Sequence, residues 1–398
     1  MQKLKDYFYS HFGNEQQIDQ KYGMFAPIVK AYLDVLLFNK LIIDKAQLDR
    51  LLQLDICLVT KFSVPRSDSC NGATLIYSKS GGLKPKISKV NIEILLPKKF
   101  DKNADYSNLS LTDFLKKFDD CYSVQAEANF KKDMFIKTVI HELNHAMCVK
   151  EFYYKQNNEL IVDESLLKDK DLDNMRYVEF DGGIEVVDFD KSLGRVMVAG
   201  DKMHEAITEF LASVITDAKP IKQIRYAPQA RLKMHYEPYP YLIALYADLD
   251  KDLVFDCYFK HSTQVQKDKL KDIVAWQDDV LSAFDKFKKL NDMSDQAQIR
   301  QAEDTLVECL NEQIDKIITM AKQKDLESKK LERMTNFCYK FFSPNAWVNA
   351  AFDCANFKER DHELANEFAK TIKQLRNDKT NIFQDLVTEV KAKELKGD

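Results

Sequence analysis

The chain has 398 residues, of which 45% are hydrophobic and 31% charged, with a formal net charge of −4. That is the composition of a folded globular protein with room for two or three domains, and it excludes a disordered chain. The near-cancelling charges give no electrostatic footprint for nucleic acid or for an anionic membrane, and only 10 glycines and 9 prolines favour helices over a β-sandwich or barrel.

Residues 1–54 read as helical, with Ile28, Tyr32, Val35 and Leu36 recurring at helical spacing. The most apolar run, MFAPIVKAYLDVLLFNKLII, contains Lys30, Asp34 and Lys40, which argues for a buried helix rather than a membrane span. The opening MQKLKDYFYSHFGNEQQ has no uninterrupted apolar segment of the kind a secretory leader needs, so the expected location is the cytoplasm. The 8 cysteines (Cys57, Cys70, Cys121, Cys148, Cys257, Cys309, Cys338, Cys354) form no CxxC pair and read as free buried thiols in a reducing compartment.

From Asp55 the texture changes. ICLVTKF, ATLIYS and KVNIEILLP are short, β-rich runs separated by RSDSCNG and SGGLKP, and they predict three strands, the last ending at Pro97. A polar stretch over roughly 99–128 carries a short helix around LTDFLKKF, and a helix from Phe130 to Glu151 follows. Residues 152–182 read as a polar, irregular insertion. Next come a β-hairpin in GIEVVDFDKSLGRVMVAG turning near Gly194, an amphipathic helix in DKMHEAITEFLASVITD, and a loop entering another helix at Pro240.

Everything beyond Lys251 reads as helical. Ile299, Ala302, Leu306, Cys309, Ile314, Ile317 and Ala321 form a core stripe, and Ser343–Pro344 reads as a cap and first helical position. Together the elements predict an α+β, predominantly helical protein: a helical segment over 1–54, a mixed strand-and-helix domain over 55–250 and a helical domain over 251–398.

The chemistry concentrates in IKTVIHELNHAMCV, where His141 and His145 stand four residues apart in a chain with only 7 histidines. On a helix they face one side and can hold one Zn2+ at the usual Zn–N distance of about 2.0–2.1 Å. Glu142 sits about 100° round the helix from His141. It is badly placed as a ligand but well placed to reach a water on the metal. Phe135, Ile136, Val139, Ile140, Leu143, Ala146 and Met147 supply the core side, and Cys148 reads as a small buried hydrophobe. HELAN, beginning at His362, lacks the second histidine and has no metal role.

A catalytic zinc needs a third protein ligand and an open position. MHEAITEF offers Glu205 and Glu209, which share a helix face. One can bind metal while the other accepts a ring N–H and orients an imidazole, and the choice rests on helix phase.

HELNH followed by HEAITE resembles the gluzincin branch of zinc metallopeptidases. In its thermolysin-like members a glutamate on a second helix, in an Asn-Glu-Ala-Ile-Ser-Asp type segment, completes an HExxH site. Two differences stand out: the stretch between His145 and Glu205 is longer than in thermolysin, and His204 replaces the asparagine. The resemblance implies a zincin-like domain in which a small twisted sheet packs on the HExxH helix. It implies one Zn2+ per chain held by His141, His145 and Glu205, with Glu142 as general base and Glu209 hydrogen-bonded to His141. It also implies an oxyanion donor downstream, for which MHYEPYPY offers Tyr239 first and Tyr236 second.

The expected activity is hydrolysis of peptide or protein substrates, with an extended peptide lying along an edge strand; VNIEILL is the candidate edge. Two other readings are a helical binding protein that zinc merely staples, and a zinc hydrolase with a non-peptide substrate. Oligomeric state and cleavage preference leave no trace in the sequence.

Overall fold

A computed structural model describes residues 2–38, 45–63, 71–79, 86–148, 150–156, 159–161, 176–181, 186–190, 195–199, 201–217, 238–259, 296–351 and 359–395, together with 272, 273, 276, 279, 280, 282, 283 and 286. Internal contacts divide the chain into two compact units: Met1–Gly182 with Leu211–Lys233, and Gly183–Phe210 with Met234–Asp398. This division follows contacts, where the expected division into 1–54, 55–250 and 251–398 followed texture. Mostly helical, with two small three-stranded sheets and a two-stranded one among the described residues, the protein is of the α+β class.

The first unit opens with four helices, α1 (Gln2–Phe12), α2 (Glu15–Tyr22), α3 (Ala26–Phe38) and α4 (Lys45–Leu52). Gly23, at φ +52°, turns the chain out of α2 without a Cβ penalty. Along α3, Val29, Tyr32, Leu33, Val35 and Leu36 are fully buried, while Asp34 stays exposed, so the helix is buried along its apolar positions.

The three expected strands are present as β1 (Leu54–Val59), β2 (Gly72–Lys79) and β3 (Lys86–Leu95), ordered β1-β3-β2. β3 runs parallel to β1 and antiparallel to β2. The VNIEILL segment is therefore the central strand and not the edge. Val90, Ile92 and Ile94 on one of its faces are buried, and so is Glu93 on the other, which accepts a 2.9 Å hydrogen bond from Ser63 N–H. A strand so apolar is best used where both neighbours cover it, which leaves β2 as an edge of this sheet.

Two helices follow, α5 (Leu111–Cys121) and α6 (Gln125–Met147). Ser110 caps α5 by accepting from Asp113 N–H at 3.1 Å. Rings from both helices and the loops beside them form one cluster, with Phe114–Phe135 centroids 4.9 Å apart and Phe100–Phe118 4.8 Å apart. Toward the C-terminal end of α6, the buried Tyr32 hydroxyl donates to Asn144 Oδ1 at 2.8 Å, locking α3 to α6.

α6 starts five residues before Phe130 and stops at Met147, short of Glu151. The stop has a local cause. Cys148 N–H still bonds Asn144 O, but Cys148 is extended at ψ 160°, and its carbonyl accepts from the Arg50 guanidinium instead of continuing the helix. Glu151 belongs to a strand.

The stretch 152–182, expected to be irregular, contributes to a second antiparallel sheet. β4 (Lys150–Gln156), β5 (Glu159–Ile161) and β6 (Arg176–Asp181) are ordered β5-β4-β6. KEFYYKQ and RYVEFD are rich in aromatic and branched residues, which suit a pleated surface. Their charges made them read as polar loop.

In the second unit, β7 (Val186–Asp190) pairs antiparallel with β8 (Arg195–Ala199) as the expected hairpin; its turn, with Gly194, lies outside the described residues. α7 (Asp201–Asp217) covers the predicted amphipathic stretch, and the boundary between the units falls within this continuous helix. α8 (Tyr239–Leu249) has Pro240 in its first turn and is buried along its whole length, as its apolar sequence demands. Around it come α9 (Lys251–Phe259), α10 (Gln296–Gln323), α11 (Ser328–Phe341), α12 (Pro344–Ala351) and α13 (Glu359–Glu394). Ser343 caps α12 as predicted, accepting from Ala346 N–H at 3.4 Å.

The α10 stripe is buried at Ala302, Leu306, Ile314, Ile317 and Ala321, but Cys309 is only half-buried. Leu310, in step with Leu306 and Ile314, takes the core place assigned to it. The other thiols divide similarly: Cys148, Cys257 and Cys338 are buried, whereas Cys57 is exposed and Cys121 half-exposed. Cys70, Cys354 and the Ile299 side chain lie outside the described residues. Among the described residues, no helix is long and apolar enough to cross a membrane.

The Tyr32–Asn144 bond gives a stability test. Tyr32→Phe keeps the ring but withdraws a donor from a buried amide oxygen. Urea denaturation is expected to show a loss of about 1–3 kcal/mol; an unchanged midpoint and slope would show that the bond does not hold α6.

Candidate metal centre

α6 carries the two histidines one turn apart, both half-exposed on a helix otherwise buried at Val139, Ile140, Leu143, Ala146 and Met147. Phe135 is buried too; Ile136, expected on the same side, is half-exposed. The Nε2 atoms of His141 and His145 lie 3.1 Å apart, with ring centroids 4.8 Å apart and planes at 70°. Two nitrogens bound to one tetrahedral ion at Zn–N distances of about 2.0–2.1 Å stand roughly 3.3 Å from each other. The rings thus already converge as an ion would require.

Glu205 comes from α7, whose apolar positions Ala206, Ile207, Phe210, Leu211 and Val214 are buried. One ligand atom from each of His141, His145 and Glu205 lies within 4.8 Å of the others. Helix phase, open in the sequence, groups Glu205 and not Glu209 with the imidazoles. Glu209, one turn further along α7, is 1% exposed. Two imidazoles and one carboxylate are the donor set of a catalytic zinc site, and the spacing suits a metal of that size.

The rotation of α7 is fixed from α9. The His204 ring stacks on Tyr258 with centroids 5.1 Å apart and planes 18° from parallel. Thr208 Oγ1 donates its one proton to His204 O at 2.9 Å, so the Tyr258 hydroxyl, 2.7 Å away, donates to Thr208. His204, which departs from the thermolysin pattern, is thus a buried packing residue beside Glu205.

Glu142 is 6% exposed and lies against β2. Thr74 Oγ1 is 2.8 Å from Glu142 Oε2 and 2.9 Å from Glu142 main-chain O. A Cβ placed on Gly72 would come within 2.6 Å of Glu142 Cγ and 2.7 Å of its Oε1. Neither Thr74 nor Gly72 was singled out in the sequence. The one available signal was a glycine opening a β-rich run, which often marks a close approach.

Tyr239 sits edge-on between Trp276, at 6.5 Å, and Trp347, at 6.0 Å. Burial raises its phenol well above the ordinary range, so it stays protonated. This is the setting of a packing residue. Tyr236 and His235 lie outside the described residues. Cys148 is fully buried, and its thiol donates to His145 O at 3.1 Å, in keeping with a small core residue. His362 is exposed on α13. Neither a protein-family model, nor a curated protein, nor a solved structure matches the chain.

Purified protein is expected to bind about one zinc per chain after dialysis against metal-free buffer, as read by plasma mass spectrometry. His145→Ala and Glu205→Ala are each expected to lose most of it. Zinc retained by both variants would remove these residues from any metal site.

Proposed function

We propose that the chain is a zinc-dependent peptidase of the gluzincin type. The observation that supports it most is the meeting of His141, His145 and Glu205 ligand atoms within 4.8 Å, on elements that also carry the buried Glu142. By the same reading Glu209 accepts the ring N–H of His141 and fixes its orientation.

When bound, zinc supplies a Lewis acid and brings the ionisation of water down to about pH 7. The chain's own residues do the rest. Glu142 takes the proton of the attacking water and returns it to the leaving amine, a general-base and then general-acid role. Its near-complete burial excludes competing solvent from the carboxylate. Tyr239 and Tyr236 are the candidates for the donor to the developing oxyanion, and the aromatic packing of Tyr239 counts against it.

The zincin-like packing proposed here lays the β1-β3-β2 sheet on α6, with β2 bordering the site in place of the strand first expected. The ladder supports a substrate edge there. Leu95 N–H donates to Asn71 O at 2.9 Å, which makes the odd-numbered β2 residues the ones bonded to β3. Gly72, Thr74 and Ile76 then turn their N–H and C=O outward, where an extended peptide can add as a strand.

Glu142→Gln is expected to keep its zinc and lose at least about a hundredfold in peptide hydrolysis. Equal hydrolysis by the metal-loaded variant and parent would overturn the role of Glu142. A parent that cleaves no peptide, yet melts lower after chelation, would be a zinc-stapled binding protein. One that hydrolyses only small esters or amides would be a hydrolase of another class.

A further inference from the structure

We propose that Thr74 and Gly72, two residues apart on β2, are positioning residues for the Glu142 carboxylate. The threonine hydroxyl fixes one carboxylate oxygen, and the glycine leaves the space that the other occupies. The inference rests on the reading of Glu142 as general base.

A glutamate reaches out over three rotatable bonds, and a buried carboxylate needs a partner to stay in one rotamer. Thr74 provides that partner in an unusual way. Its hydroxyl has one proton and faces two acceptors of the same residue, Glu142 Oε2 at 2.8 Å and Glu142 main-chain O at 2.9 Å. Side chain and backbone of Glu142 are therefore clamped to a common point on β2. That point is rigid: Thr74 is registered against the buried Ile92 of the central strand, and Gly72 against the buried Ile94.

Gly72 closes the clamp from the other side. Successive odd or even strand residues share a face, so Gly72 and Thr74 both look toward α6. A Cβ at Gly72 would stand 2.6 Å from Cγ, 2.7 Å from Oε1 and 2.9 Å from Cδ of Glu142. Contact with Cγ cannot be relieved by swinging the carboxylate end alone; the whole side chain would have to move. The positive-φ glycines are Gly13 and Gly23, so among the described residues Gly72 is not required by backbone conformation. Space is the reason for it. The strand proposed to receive the substrate is also the strand that aims the base, which ties docking to proton transfer through one rigid element.

The test uses the zinc-loaded full chain with a pool of quenched fluorescent peptides. Thr74→Val keeps the shape and deletes the hydroxyl; Thr74→Ser restores a hydroxyl; Gly72→Ala adds the Cβ. Thr74→Val and Gly72→Ala are expected to lower kcat by about 10- to 100-fold. KM should stay within about twofold, zinc per chain should be unchanged, and Thr74→Ser should recover most of the rate.

A second readout is independent of activity. Thr74→Val should lower the melting temperature in the parent but not in a Glu142→Ala background. Undiminished kcat in Thr74→Val, or the same melting loss in both backgrounds, would overturn the proposal. If the parent cleaves nothing and the melting effect still depends on Glu142, the peptidase reading falls while the clamp stands.

Discussion

Two imidazoles one helical turn apart can serve one ion only if the helix that carries them cannot roll. α6 is held at its middle and at its C-terminal end by different physics. At mid-helix, Phe135 enters a ring cluster with Phe114 and Phe118, and each buried ring contributes about 1.5–3 kcal/mol. Near its end, the Tyr32–Asn144 bond and the Arg50 contact to Cys148 O are polar, with net contributions of about 0.5–1.5 kcal/mol for a neutral bond and about 1.5–3 kcal/mol for a charged one. The rings therefore dominate the stability. The polar contacts are directional, and they set the rotation and the stopping point of the helix.

The same division of labour recurs around the carboxylates. Glu142 is buried against an edge strand, and that burial is tolerable because Thr74 satisfies one oxygen. On α7, the stacking of His204 on Tyr258 and the hydroxyl pair Tyr258–Thr208 orient the helix that presents Glu205. Residues outside the His141, His145 and Glu205 group thus help to set where its ligand atoms stand.

Much of this was legible in the sequence where a strong periodic pattern met a clear stop. DKMHEAITEFLASVITD gave α7 its bounds, Pro240 marked α8, and the VVDFD and RVMVA runs gave the hairpin pairing. The losses have physical causes. α6 carries no Gly or Pro at its end, and the residue that ends it, Arg50, is nearly a hundred positions upstream. β4 and β6 hid behind lysines and glutamates because their partners come from across a long connection. VNIEILL reads as an edge because alternation says which residues are apolar, not which strand has two neighbours. Glu205 was named by the resemblance, whereas its residue-level choice over Glu209 takes the helix phase, and Thr74 takes the sheet register.

The most direct measurement is anomalous diffraction at the zinc absorption edge from crystals of the full chain grown with equimolar zinc. The expected result is one strong peak bonded by His141 Nε2, His145 Nε2 and a Glu205 carboxylate oxygen, with no fourth protein ligand. A peak held by other residues, or zinc absent while both imidazoles face away from Glu205, would contradict the assignment of these three side chains to one metal centre.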